Sequence, residues 1–164
     1  MLLEDEPLEA GYACEKVTVN SLKGIANTIG GQKECTQLII SLPFVTKELT
    51  QELNRLALTL HNSPLIQASA SIIVSCNSEK VFDDVEGFEL FSDHEEEFGD
   101  MYSIRLKDGP LQGELTKALF IITKDGSLFY DEIVSDISDN FNTDLALSKL
   151  AIAQECYTGK GCHS

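Results

Sequence analysis

Lysine and arginine are scarce in this chain: 12 of them stand against 27 aspartates and glutamates, a formal net charge of −15 over 164 residues. That balance excludes the clustered basic surface that holds nucleic acid or an anionic membrane, and it favours a basic partner. Long apolar runs are also missing. None approaches the roughly 18 residues of a bilayer-spanning helix. The opening stretch MLLEDEPLEAG lacks the basic and apolar segments of a secretory signal. A cytoplasmic protein is therefore expected, with neither membrane nor nucleic acid as partner. The chain has no glycine-rich phosphate loop, no GxSxG and no HExxH. Nothing in it asks for a cofactor, and none is expected.

What is present is ordinary globular material, 43% hydrophobic and 24% charged, enough for one domain with a real core. Residues 1–11 read as a flexible acidic N-terminus, 12–155 as the folded domain and 156–164 as a cysteine-containing tail. Five cysteines lie at 14, 35, 76, 156 and 162. An odd number at wide spacing is no disulfide framework, so thiols are expected. Cys35 and Cys76 flank apolar runs and read first as small buried hydrophobes.

Hydrophobic periodicity predicts an alternation of strands and helices. Residues 16–22 alternate like a short edge strand, and the glycine-bearing 23–34 reads as a loop in which GIANTI offers one helical turn. CTQLIISL (35–42) is a continuous apolar strand of the kind buried on both faces. Thr46 is an N-cap candidate for a helix over 47–61, whose leucines at 49, 53, 56 and 60 form one stripe and whose Glu48 and Glu52 suit a helix start. Residues 66–76 form the next strand, 77–85 a short helix or turn, 88–92 a short strand with Phe91 out of step, and 93–102 an acidic helix capped by Asp93. Two apolar runs, 115–123 and 127–134, joined by Lys-Asp-Gly, predict a hairpin. A last helix over 142–156 starts at Asn142 or Thr143. Strand–helix–strand at 35–76 implies a right-handed parallel crossover. The fold expected is an α/β sandwich of thioredoxin-like plan, a mixed central sheet flanked by helices.

SLPFVTKELTQEL (41–53) is a strand-to-helix corner of the type where redox proteins place a reactive cysteine, yet it contains none. Further on, Phe98, Tyr102, the string Asp108-Gly109-Pro110-Leu111-Gln112-Gly113, the strand Ala118–Thr123 and Ser135-Asp136-Ile137 follow in an order that resembles the bacterial thiol peroxidases, the atypical two-cysteine peroxiredoxins. The resemblance covers about residues 12–153. It implies a thioredoxin-like domain, a homodimer formed through the face around the corner and the RLKDGPLQG loop, and thioredoxin or another protein as partner. Peroxide reduction in that family needs a thiolate that attacks the O–O bond and becomes a sulfenic acid, made available by a helix N-terminus and a nearby cation. The family motif is Pro, three residues, Thr, two residues, Cys, completed by an Arg. Pro43 matches the proline. Without a gap, Lys47 takes the Thr position and Thr50 the Cys position; with one residue deleted, Thr46 takes the Thr position and Leu49 that of Cys. Lys117 stands at the Arg position, keeping the charge but not the planar fork. A threonine hydroxyl is un-ionised at neutral pH and cannot pass through the sulfenic step. The resemblance thus implies a degenerate site at Pro43, Thr46, Thr50 and Lys117, in a binding or regulatory protein.

The alternative reading is an active thiol-dependent oxidoreductase that reduces hydroperoxides through a relocated cysteine, with Cys76 or the Cys156/Cys162 pair as redox candidates. Gly159 and Gly161 would let the tail close a disulfide loop. Cys156, Cys162 and His163 also make three weak zinc ligands, one short of a set, and Cys162-His163 ends like a haem attachment site with the wrong cysteine spacing. His61 and His94 read as solvated helix residues. The run Asp93–Glu97 with Asp100 reads as a solvated face before it reads as a cation site.

Overall fold

A computed structural model describes residues 3, 8–21, 23–44, 46–64, 66–75, 87–134 and 136–155. Seven strands form one mixed sheet: β1 Val17–Ser21, β2 Ala26–Ile29, β3 Thr36–Leu42, β4 Ala68–Ser75, β5 Glu89–Asp93, β6 Ala118–Ile122 and β7 Leu128–Ile133, in the order β2-β1-β5-β4-β3-β6-β7. Helix α1, Lys47–His61, connects β3 to β4, which pair in parallel from Thr36↔Ala68 to Leu42↔Val74. The predicted parallel strand–helix–strand connection is therefore present. Helix α2, Glu97–Met101, follows β5, and α3, Thr143–Ala153, follows the antiparallel β6–β7 pair. The Asp-Gly hairpin forms as expected: Gly126, at φ +88, takes the turn position that side chains resist.

The central strands read as continuous apolar runs because they are covered on both faces. With a period of two, Leu38, Ile40 and Leu42 of β3, Ile72 and Val74 of β4, and Leu119 and Ile121 of β6 face one cluster, where α1 contributes Leu49, Leu53 and Leu56 and α3 contributes Ala146, Leu150 and Ala153. The intervening Ile39, Ile73, Phe120 and Ile122 face a second cluster with Phe98, Tyr102, Ile104 and Leu115. Phe91 looked out of step because β5 serves both faces: Phe88 and Leu90 pack on the first cluster, Phe91 in the second.

Two predicted elements differ. The 23–34 loop contains β2, paired with β1 from Val17↔Ile29 to Asn20↔Ala26. As an edge strand its first three residues are exposed, so no buried periodicity marked it. The acidic 93–102 helix shrinks to α2, because Asp93 ends β5 and Glu96 sits at φ +62. Asp93 still caps it: its carboxylate accepts from the N–H groups of Phe98 (3.0 Å) and Gly99 (2.9 Å). The turn or helix expected over 77–85 lies outside the described residues. Residues 11–14 run past the β6–β7 turn, where Gly11 N–H donates to the Leu128 carbonyl and Cys14 N–H to that of Gly126.

Candidate functional site

The corner at the end of β3 is built as its sequence dictates. Pro43 is buried and has no N–H to extend the ladder, so the strand stops. The Ser41 hydroxyl donates to the Thr116 carbonyl at 2.7 Å and ties the strand end to the segment leading into β6. Thr46 then caps α1 from an extended backbone, its Oγ1 accepting from the Leu49 N–H at 3.2 Å. Thr50 turns its hydroxyl back onto the Thr46 carbonyl at 3.0 Å. A cavity of about 270 Å³ opens here, lined by Phe44, Thr46, Glu48, Leu49, Glu52, Ile137, Ser138 and Asn140. Of the two positions that the motif could align with cysteine, Leu49 lines this cavity and Thr50 does not.

Lys117 does not reach into that space as a free cation. It is 1% exposed, and its Nζ donates to Glu52 Oε1 at 2.5 Å, to the Asp139 carbonyl at 2.6 Å and to the Ile137 carbonyl at 3.5 Å. The Phe141 ring lies 4.9 Å from the same nitrogen. The second Glu52 oxygen accepts from the Phe141 N–H at 2.7 Å. One buried ion pair thus ties the residue just before β6, α1 and the 137–141 segment together. Glu52 is the site residue that sequence reading missed, assigning it only to the helix start. The signal was there: it is three residues from Leu49 and four from Leu56, on the apolar stripe, where an unpaired carboxylate would be costly.

The described thiols lie away from this corner. Cys14 is buried in the cluster on the opposite face of the sheet. Burial pushes its thiol up to about 11, with the Tyr102 hydroxyl opposing the rise and Asp131 adding to it. Such a group stays protonated and unreactive. Cys35 precedes the start of β3, whereas the corner lies beyond its other end. At about 3.3 Å per residue, that is roughly 25 Å away. Cys76, Cys156, Cys162 and His163, the redox and weak metal candidates, lie outside the described residues. Among the described residues, no three His, Cys, Asp or Glu side chains are grouped to hold a metal ion, and no helix is long and apolar enough to cross a membrane. His61 and His94 are both exposed, and the Glu96 and Asp100 carboxylates of the acidic run pair with Arg105.

The DGPLQG segment is a closed loop that follows α2 in the chain. Leu106 N–H donates to the Glu114 carbonyl and Gly113 N–H to that of Leu106, both at 2.9 Å. Arg105 clamps it through the Asp100 carboxylate at 2.9 Å and the Gly113 carbonyl at 3.3 Å.

No family model matches the chain. A thiol peroxidase of Campylobacter jejuni is 26% identical over 98% of this chain and 93% of its own length. One from Aquifex aeolicus is 24% identical over 74% of this chain and 75% of its own. The chain is a relative of the bacterial thiol peroxidases. A thiol peroxidase of Mycobacterium tuberculosis aligns more locally, 38% identical over 53 residues, 32% of each chain. Solved structures agree on the fold: a peroxiredoxin-like protein from Aquifex aeolicus superposes with a TM-score of 0.78 at 22% identity, over 90% of this chain and 89% of that one. The thiol peroxidase from Chromobacterium violaceum gives 0.69 at 15%, over 90% and 88%. The thioredoxin-like, peroxiredoxin-type sandwich expected from the sequence is the fold of this thiol peroxidase relative.

Proposed function

We propose that this chain is a thiol peroxidase-like redoxin domain in which Leu49 replaces the peroxidatic cysteine and Lys117 the catalytic arginine, and that it serves as a binding or regulatory protein. The observation that carries the reading is the composition of the corner. The side chain facing the cavity beside the Thr46 cap is a hydrocarbon. The cation behind it is spent on Glu52, two backbone carbonyls and an aromatic ring. A leucine has no lone pair to attack an O–O bond, and a saturated, buried ammonium has no donor left for a peroxide oxygen. The protein acts in a reducing cytoplasm, where an odd, widely spaced set of thiols stays reduced, and as a homodimer joined around the corner and the 105–113 loop. Its other partner is thioredoxin or a further protein; light scattering and pull-down with a thioredoxin address these two points.

The test is to expose the reduced protein to one equivalent of hydroperoxide with a sulfenic-acid trap present, followed by peptide mass mapping. The expected result is no adduct above that of a denatured thiol control. A rapid, stoichiometric adduct or disulfide at Cys76, Cys156 or Cys162 would establish the relocated-nucleophile reading instead.

A further inference from the structure

A second cavity lies at the far end of α1, roughly 20 Å from the corner at about 1.5 Å per helical residue. It measures about 220 Å³. Its floor is Leu38 of β3 and Leu150 of α3, both buried. Its walls are small: Ala57 of α1, Ala68 and Ala70 of β4, and Gly87 ahead of β5. At Gly87 the backbone lies at φ +84, and an added Cβ would come within 3.2 Å of the Ala57 Cβ, so this wall stays bare. Leu60 and Ile66 complete the hydrocarbon, and the exposed His61 stands at the rim. A close-packed core has left room here for a few heavy atoms, fewer than a drug-sized ligand has.

The charges around the cavity point one way. Its described lining holds no Lys or Arg, and no Asp or Glu. α1 ends at His61, so the cavity opens beside the negative end of the helix dipole, which favours cations. The chain as a whole stands at −15. An uncharged imidazole offers a nitrogen that accepts a hydrogen bond. Thr36 stands at the same pole, paired with Ala68 in the ladder and on the face of β3 that carries Leu38. It is fully buried and its hydroxyl has no partner among the described residues, which leaves a second acceptor beside the floor. An anion would face the helix carbonyl end and the overall negative charge with no cation to meet it. An ammonium head gains at each of these points, and at an exposed rim it keeps part of its hydration.

We propose that this cavity binds a small primary ammonium compound with a short apolar tail, the tail in the alanine-walled slot and the head at His61. The proposal stands on this end of α1 alone, whatever the thiols do with peroxide.

The experiment is an amide NMR titration of the full chain at pH 8, in low salt and under reducing conditions, with n-butylammonium, butan-1-ol and butyrate, which share one tail. n-Butylammonium is expected to give saturable shifts centred on residues 57–61, 66–70 and 150. It should bind about threefold or more tighter than butan-1-ol and about tenfold or more tighter than butyrate. His61→Lys puts a cation at the exposed rim and is expected to weaken n-butylammonium by about tenfold while moving butan-1-ol by less than about twofold. Ala70→Leu fills the slot and is expected to weaken all three probes by about tenfold; should it fail to fold, His61→Lys decides alone. Absence of saturable shifts, shifts centred elsewhere, butyrate or butan-1-ol binding as tightly as the amine, or an amine affinity indifferent to His61→Lys overturns the proposal.

Discussion

Lys117→Met removes the ammonium that closes the corner, with a side chain of similar length. Glu52 is 7% exposed, and the change would leave its carboxylate buried against the Phe141 N–H alone. Removing one partner of a buried ion pair costs about 3–5 kcal/mol, because the remaining charge is uncompensated. The Phe141 contact adds a cation–π loss of roughly 0.5–2 kcal/mol. For a chain of this length each kcal/mol moves the melting point by about 2–4 °C, so the pair term alone predicts a drop of roughly 6–20 °C. The second variant, Glu52→Gln with Lys117→Met, removes both charges and keeps a carbonyl oxygen for the Phe141 N–H. It is expected to recover more than about 1 kcal/mol of that loss. Thermal and urea unfolding of the wild type, the two single variants and the double variant close the cycle, with hydrogen exchange expected to rise first at 137–141. If Lys117→Met stays within about 1 kcal/mol of the wild type, or if the double variant loses as much as the two singles added, the clasp is not a coupled unit and the argument fails.

Thr46→Ala deletes the cap that receives the Leu49 N–H and is expected to cost about 1 kcal/mol, a melting-point drop of roughly 2–4 °C by calorimetry. Leu49→Cys alone is expected to leave peroxide turnover at background, because Lys117 remains engaged with Glu52; turnover from this single change would show that the ammonium is available after all. Gly30→Ala would place a methyl 2.5 Å from the Tyr102 hydroxyl and 2.8 Å from the Glu15 carbonyl oxygen at a φ of +74, so its chemical-denaturation midpoint should fall well below that of the wild type. The Cys14 thiol is raised in the fold from 9.0 to about 11, so between those values the unfolded chain releases a proton that the folded chain keeps. Its contribution is fully present below pH 9.0 and is lost as pH rises through about 11. The stability of Cys14→Ala should therefore fall less steeply than the wild type's over that interval, and equal slopes would refute the assignment.

Much of the fold could be read from the chain because the informative elements are buried. The unbroken run of β3 is covered on both faces, and α1 carries its leucine stripe between Thr46 and the Asn62-Ser63-Pro64 stop. β2 could not be read in that way: an edge strand with an exposed outer surface leaves no period-two pattern, and its pairing is fixed by backbone bonds to β1. The predicted 93–102 helix is longer than α2 because Asp93 signals a cap, whereas its pairing with Ser75 makes it the end of β5 and the left-handed Glu96 delays the helix start. Motif positions pointed to Pro43, Thr46 and Lys117, whose place in the fold is described above. The sequence left open whether Thr50 or Leu49 takes the cysteine position, since one residue of register turns the helix by about 100°. The partnership of Glu52 with Lys117 spans 65 positions and depends on tertiary packing, so spacing alone did not reveal it.

The central point is that none of the five thiols of this chain reduces peroxide. It is tested most directly by measuring hydroperoxide consumption by the intact protein with thioredoxin, thioredoxin reductase and NADPH, beside a variant in which all five cysteines are serine. Both are expected to consume peroxide no faster than the reductant system alone. Robust turnover by the wild type that disappears in the serine variant would contradict it.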